Sequence, residues 1–377
     1  MTRTKTANGI PIDNPYVSKS HTTSVLYKFT PLFVSGRLLP SAIFLACAAV
    51  AIQCLVIRGL IQSRIRNKLD VICDDPLEAS SNPLRMAYTG NLEVDKVLCG
   101  MGVFYHTAMT PSYIPFFLEF TGVIAAMSLI PFAEAARDHR SSFLGNGVPG
   151  TVGMLAQLLG PGLVMPLYYL LFVTTGAADR KPGSAGGAKI NQGNAEALLF
   201  GLMGCIIPTA SMVLFQDPTV TAIWQLFPII MEIAQFCHRI IRPPSRLTES
   251  GYYTVQATYA TVLVASTAIH IQYVWPLLSN IDALKQLFLP SFGSSDPGAA
   301  PLLDGIFYFF KWDFTLSVVS TYFLPLWFTD DLLSCVVVIV WCIATTIVLG
   351  PGAAIASILM WREEKLNRPV KMVEKHN

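Results

Sequence analysis

The sequence predicts an all-α membrane protein, a polytopic bundle of about eight spanning helices. Three observations predict it. Of the 377 residues 53% are hydrophobic and only 13% are charged, about half the charge of a water-soluble domain. Mean hydropathy is +0.50. Apolar stretches of about 20 residues, enough to cross a hydrocarbon layer roughly 30 Å thick, recur along the chain. A chain of this length could bury a core in water, but it could not then cover its surface with so few charges. Lipid is the better solvent for much of it.

In chain order the spanning stretches are 38–58, 114–135, 150–175, 194–215, 219–240, 254–278, 305–328 and 332–360. A ninth apolar stretch, 93–110, contains Asp95, Lys96 and His106 and reads as interfacial. Pro161, Pro166, Pro208, Pro228 and Pro351 fall inside spans. Proline is tolerated there where neighbours satisfy the freed carbonyl, and it often marks a kink around a cavity. LGPGLVMP (159–166) and LGPGAAIA (349–356) share LGPG; an internal repeat and two independent kinks both fit. Connections are short except 61–92, 176–193 and 279–304, and the glycines of 176–194 mark a flexible loop. The organisation is one transmembrane helical domain, 38–361, between a polar N-terminal segment, 1–37, and a basic tail, 362–377.

Net charge is +2 and the basic residues are scattered, which leaves no footprint for nucleic acid. Arg58, Arg64, Arg66 and Lys68 pull the end of the first span toward the cytosol, as Arg239, Arg242 and Arg246 pull the end of the fifth. The tail from Arg362 to Lys375 pulls the other way, and orientation stays open. None of the eight cysteines forms CxxC and six lie in apolar runs. They read as small buried hydrophobes and not as a disulfide or zinc framework. The polar first thirty residues do not read as a signal peptide.

Polar residues within spans carry the functional information, because their burial is costly and needs a reason. In the fifth span Gln225, Glu232, Gln235 and Arg239 fall on one narrow helical stripe. Such a stripe faces a bundle interior or a cavity; alternatively Glu232 pairs with Arg239. In the sixth span Tyr259, Ser266, His270 and Tyr273 form a second stripe. A lone histidine there reads first as a hydrogen-bonded packing residue, and no HExxH accompanies it. In the seventh span, GIFYFFKWDFTLSVVS (305–320), Asp313 shares a face with Ser317 and Ser320. Lys311 points away from it and can snorkel on its long stem, whereas the short aspartate cannot. Asp313 therefore looks inward, among Tyr308, Phe309 and Trp312. Glu119 lies near the start of the second span and reads as interfacial; Glu134 and Asp217, near span ends, read as solvated or capping.

An acid kept from water holds its proton and can serve as a general acid. Aromatic faces stabilise a cation that has no hydrogen-bonding group, and a dry pocket protects it from water. These parts suit protonation of an isoprenoid alkene or epoxide followed by carbocation cyclisation; a proton-coupled transporter also needs buried carboxylates. The candidate acids are Asp313, then Glu232, with Glu119 in reserve. Trp312, Trp224, Phe309, Tyr273, His270 and Gln225 are candidates for contact with substrate or cation. DDPLE (74–78) and TDD (329–331) read as solvated loops and not as a magnesium site for diphosphate ionisation. No metal or cofactor is expected, and GxSxG is absent.

QDPTVTAIWQLFP (216–228), GPGLVMPLYYLLF (160–172) and LGPGAAIASILMW (349–361) resemble the fungal membrane-bound terpene cyclases of meroterpenoid pathways, of the ascofuranone and macrophorin type. The resemblance implies eight spans and a farnesyl chain on an aromatic or quinone-like head. It also implies metal-free cyclisation, isomerase- or lyase-like, begun by protonating a terminal epoxide or alkene. The expected setting is the endoplasmic reticulum membrane, with a prenylated small molecule and lipid as partners and oligomeric state open. The rivals are a small-molecule transporter, which should have interrupted helices at matching positions of two halves, and a non-catalytic assembly protein.

Overall fold

The computed structural model describes residues 38–74, 82–137, 145, 147–180, 189–291 and 297–368. The polar segment 1–37, Asp75 to Glu78 of the acidic stretch, the middle of the 176–194 loop and the tail beyond 368 lie outside the described residues. Among the described residues the fold is all-helical, with one isolated β-bridge between Asn191 and Ser250.

The helices are α1 (Leu38–Ala51, continued as a π-helix over Ile52–Gln62), α2 (Ile65–Asp74), α3 (Leu92–Ala108), α4 (Ile114–Ala136), α5 (Val148–Leu159), α6 (Pro161–Thr174) and α7 (Gln192–Phe215). They continue with α8 (Pro218–Trp224), α9 (Phe227–Ile241), α10 (Tyr252–Ile269, extended by tighter and wider turns to Ser279), α11 (Ile281–Phe288), α12 (Leu302–Phe323), α13 (Leu332–Leu349) and α14 (Pro351–Asn367). Among the described residues five helices are long and apolar enough to cross a membrane: Leu38–Gln62, Ile114–Ala136, Gln192–Phe215, Tyr252–Ser279 and Leu332–Leu349. The pair α8 and α9, bent by 62°, makes a sixth if counted as one span. Outer faces carry exposed Leu214, Phe215, Val264, Leu333, Val340 and Ile347, side chains that suit lipid and not water.

Three expected continuous spans are broken. The stretch 150–175 is two helices meeting at Gly160, and 332–360 is two meeting at Gly350. Both glycines have positive φ, +88° and +93°, where a side chain would be strained, and a proline begins the next helix. The stretch 219–240 bends at Gln225 and Leu226, before Pro228 near the start of α9. Pro161, Pro228 and Pro351 thus start helices and do not kink them; Pro166 and Pro208 do lie inside helices.

Helix α6 packs on α12 and α1, while α14 packs on α10, α4 and α13. At one end of that second group the expected solvated Glu134 is 0% exposed. Its Oε1 accepts from Arg137 Nε at 2.7 Å and Arg362 Nη1 at 2.6 Å, and Arg137 Nη2 reaches Glu363 Oε2 at 2.6 Å. The Arg362 guanidinium also lies 4.3 Å from the Phe328 ring centre. The end of α4 is enclosed by the end of α14, a contact between residues 228 apart in sequence.

The reading of all cysteines as lone hydrophobes is corrected at one pair. Cys73 on α2 and Cys99 on α3 form a disulfide, with Cα atoms 6.0 Å apart. Their separation of 26 residues matches no short motif, so only the packing of α2 against α3 reveals it. Cys47, Cys54, Cys205, Cys237, Cys335 and Cys342 are free thiols. Alkylation of the unfolded chain should therefore label two more cysteines after reduction than before; equal labelling would remove the bridge.

Candidate functional site

Helix α12 separates two cavities. On one side Lys311 and Tyr308 line a space of about 520 Å³ with Arg58 and Asp304. The Lys311 ammonium donates to the Gln286 carbonyl at 2.6 Å. On the other side Asp313 lines a cavity of about 560 Å³ whose walls include Phe104, Tyr105, Phe117, Phe120 and Phe310. Two charged residues in one apolar run thus serve opposite faces, as their spacing predicts.

Asp313 is 2% exposed. Its Oδ1 accepts the Gly162 N–H at 2.6 Å. The LGPG break supplies that donor: α5 ends at Leu159, α6 begins at Pro161 after Gly160, and the N–H groups in the first turn of a helix have no partner within it. A Cβ on Gly160 would lie 2.7 Å from Asp313 Oδ1, and one on Gly162 would lie 2.8 Å from the Asp313 carbonyl oxygen. Only glycine lets the break approach the acid so closely. Gly160→Ala should therefore move the carboxyl and lower turnover, and a normal rate in that variant would mean the contact is not needed.

The aromatic walls hold one another. Phe104 and Phe310 have ring centres 4.6 Å apart, and Tyr105 meets Trp224 edge-on at 4.7 Å. Such a wall offers ring faces to a cation. Asp70, Glu93 and Lys96 also line the cavity; Lys96 pairs with Asp74, the first residue of DDPLE.

Of the sequence candidates, Asp313 and Phe309 line this cavity. Gln225 reaches it indirectly: Gln157, which lines it, donates to Gln225 Oε1 at 2.9 Å. Trp224 backs Tyr105 and donates to Thr209. Trp312 lies outside the lining, its indole N–H on the Ser291 carbonyl at 2.9 Å. Tyr273 is also outside, at 36% exposure. Glu232 is half-buried outside the cavity, and its Oε1 accepts the Gly147 N–H at 2.6 Å before α5. The expected Gln225–Glu232 stripe fails because the bend puts its first member at the end of another helix.

Glu119 is corrected from interfacial to buried, at 4% exposure. It meets His270 Nδ1 at 2.8 Å, a partnership across 151 residues. A Cβ on Gly350, the second LGPG glycine, would lie 2.6 Å from Glu119 Oε1. The two LGPG breaks thus each abut a buried carboxylate. Phe104, Tyr105, Phe117, Phe120, Phe310 and Gln157 line the cavity and were missed, because no local pattern brings α3, α4 and α5 to one face of α12.

The CtvD domain family matches residues 43–366. Terpene cyclase janA of Penicillium janthinellum is 24% identical over 247 residues, covering 62% of this chain and 67% of that protein. Terpene cyclase ascI of Acremonium egyptiacum is 25% identical over 214 residues, covering 52% and 55%. The chain thus aligns with about two thirds of one relative and just over half of the other. No solved structure matches.

Proposed function

We propose that this chain, which belongs to the CtvD domain family, is a membrane-bound terpene cyclase of fungal meroterpenoid biosynthesis. The observation that carries the reading is a buried acid in an aromatic-walled cavity, with one carboxyl oxygen held by a backbone N–H. The relatives named terpene cyclases support it. The substrate is a farnesyl chain on an aromatic or quinone-type head, with a terminal epoxide or alkene. The five long apolar helices and the bent α8–α9 pair cross the endoplasmic reticulum membrane, and α14 folds back along α13 at Gly350, where Trp341 donates to Ser357.

Gly162 holds Oδ1 of Asp313, so the proton is carried on Oδ2. With an epoxide, that proton moves to oxygen as the C–O bond breaks and its electron pair stays on oxygen. The next double bond attacks the carbon left cationic, and ring closure follows along the chain. The final cation loses a C–H proton, or is captured by a hydroxyl that loses its own. The Asp313 carboxylate takes that proton back, so the acid is restored and the product is an isomer of the substrate.

Membranes containing the protein, incubated with a farnesyl phenol and its terminal epoxide, should yield a cyclic isomer of at least one; no product from either would sink the reading. Because protonation replaces diphosphate ionisation, activity should survive excess EDTA in full. A loss restored by magnesium would overturn the metal-free step.

A proton-coupled transporter is the second reading. It is favoured by the paired helix breaks at Gly160 and Gly350, each against a buried carboxylate, since interrupted helices frame transport sites. Proton-driven uptake of the phenol into proteoliposomes without chemical change would decide for it.

A further inference from the structure

Two polar side chains line the Asp313 cavity without a full set of partners. The Tyr105 hydroxyl makes no hydrogen bond with any described residue, although its ring is clamped by Trp224 at 4.7 Å, Phe310 at 5.7 Å and Phe117 at 6.3 Å. Gln157, three residues before Gly160, commits its amide nitrogen to Gln225 and leaves its oxygen unpaired among the described residues. Gln225 is 3% exposed, and its own Nε2 is buried with no partner among the described residues. The bend after α8 therefore backs both groups: Trp224 stands behind the tyrosine ring and Gln225 behind the glutamine amide.

Polar groups in an aromatic cavity cost free energy until something pairs with them. If the cavity held hydrocarbon alone, phenylalanine and leucine would fill these positions at less cost. Two such groups in the same cavity as Asp313 call for an oxygen on the ligand. A tyrosine hydroxyl donates to an ether or alcohol oxygen, and a glutamine oxygen accepts from a hydroxyl. Neither can pair with an alkene.

We infer that Tyr105 and Gln157 form an oxygen-binding station in the Asp313 cavity, positioned by Trp224 and Gln225, for a prenyl chain whose reacting end carries oxygen. The inference rests on the cyclase reading for where the oxygen lies relative to the acid. In that reaction Tyr105 donates to the oxygen that receives the Asp313 proton, and Gln157 accepts from the hydroxyl once formed.

The test uses binding and so is independent of turnover. Purified full-length protein is titrated with two inert chains of equal length on one phenol head. One ends in a tertiary alcohol and the other is fully saturated hydrocarbon. The parent should bind the alcohol about tenfold more tightly, the worth of one or two neutral hydrogen bonds. Tyr105→Phe and Gln157→Leu should each reduce that preference to about threefold or less, with affinity for the hydrocarbon unchanged. Gln225→Leu should behave like Gln157→Leu, since it acts through that amide. Equal affinity for the two ligands in the parent, no binding of either, or full preference retained in both single variants would overturn the station. Loss of turnover in the parent with the preference intact would instead remove the cyclase reading and keep the station.

Discussion

Asp313→Asn should lower turnover by at least two orders of magnitude, in line with general-acid contributions of roughly 10²–10⁴. The amide keeps the shape of the carboxyl and can still accept the Gly162 N–H, so insertion and cavity geometry should be near normal. What it lacks is the proton. The contrast variants sharpen the test. Glu232→Gln should stay within a few-fold of the parent, because Glu232 lies outside the cavity and its role toward Gly147 needs only an acceptor. Lys311→Met should also be mild, since the ammonium faces the other cavity and the Gln286 carbonyl. Trp312→Leu should leave the product pattern intact, whereas Phe310→Leu should release premature alkenes or alcohols, because Phe310 and not Trp312 lines the site. A normal rate in Asp313→Asn would place the acid elsewhere and leave the inward aspartate structural.

The second large effect is on stability. Glu134→Gln should cost about 3–5 kcal/mol, the range for removing one partner of a buried ion pair. The carboxylate is 0% exposed and receives Arg137 and Arg362 together. Without it, Arg362 loses the carboxylate it pairs with at 2.6 Å, while Arg137 keeps its pair with Glu363. The variant should fail to accumulate or should melt well below the parent. Glu134→Gln with Arg362→Met should recover part of the loss, because the second change removes an uncompensated charge. A Glu134→Gln protein that melts with the parent would mean water or another group already satisfies the arginines.

Composition and periodicity determined by themselves that this is an all-helical chain with apolar outer faces, because 53% hydrophobic residues in runs of spanning length leave few other solutions. They also set Asp313 apart: a short charged side chain in a run of aromatics cannot reach water along its own stem, whatever the fold. The opposed faces of Lys311 and Asp313 followed from helical spacing alone. Tertiary structure decided the rest. Helical arithmetic assumes an unbroken helix, so the Gln225–Glu232 stripe dissolved at a 62° bend that depends on packing as much as on Pro228. Glu119 found His270 across 151 residues, and Glu134 found Arg362 across 228. No local pattern encodes such partnerships, and without them a carboxylate near a span end reads as solvated. The LGPG motif was visible, but its meaning was not: missing Cβ atoms matter only where another chain segment comes to fill their place. In this fold the segments that do so carry Asp313 and Glu119. Burial sets the cost of a charge, and burial is a property of the assembled bundle, which is why the inward acid was legible and its surroundings were not.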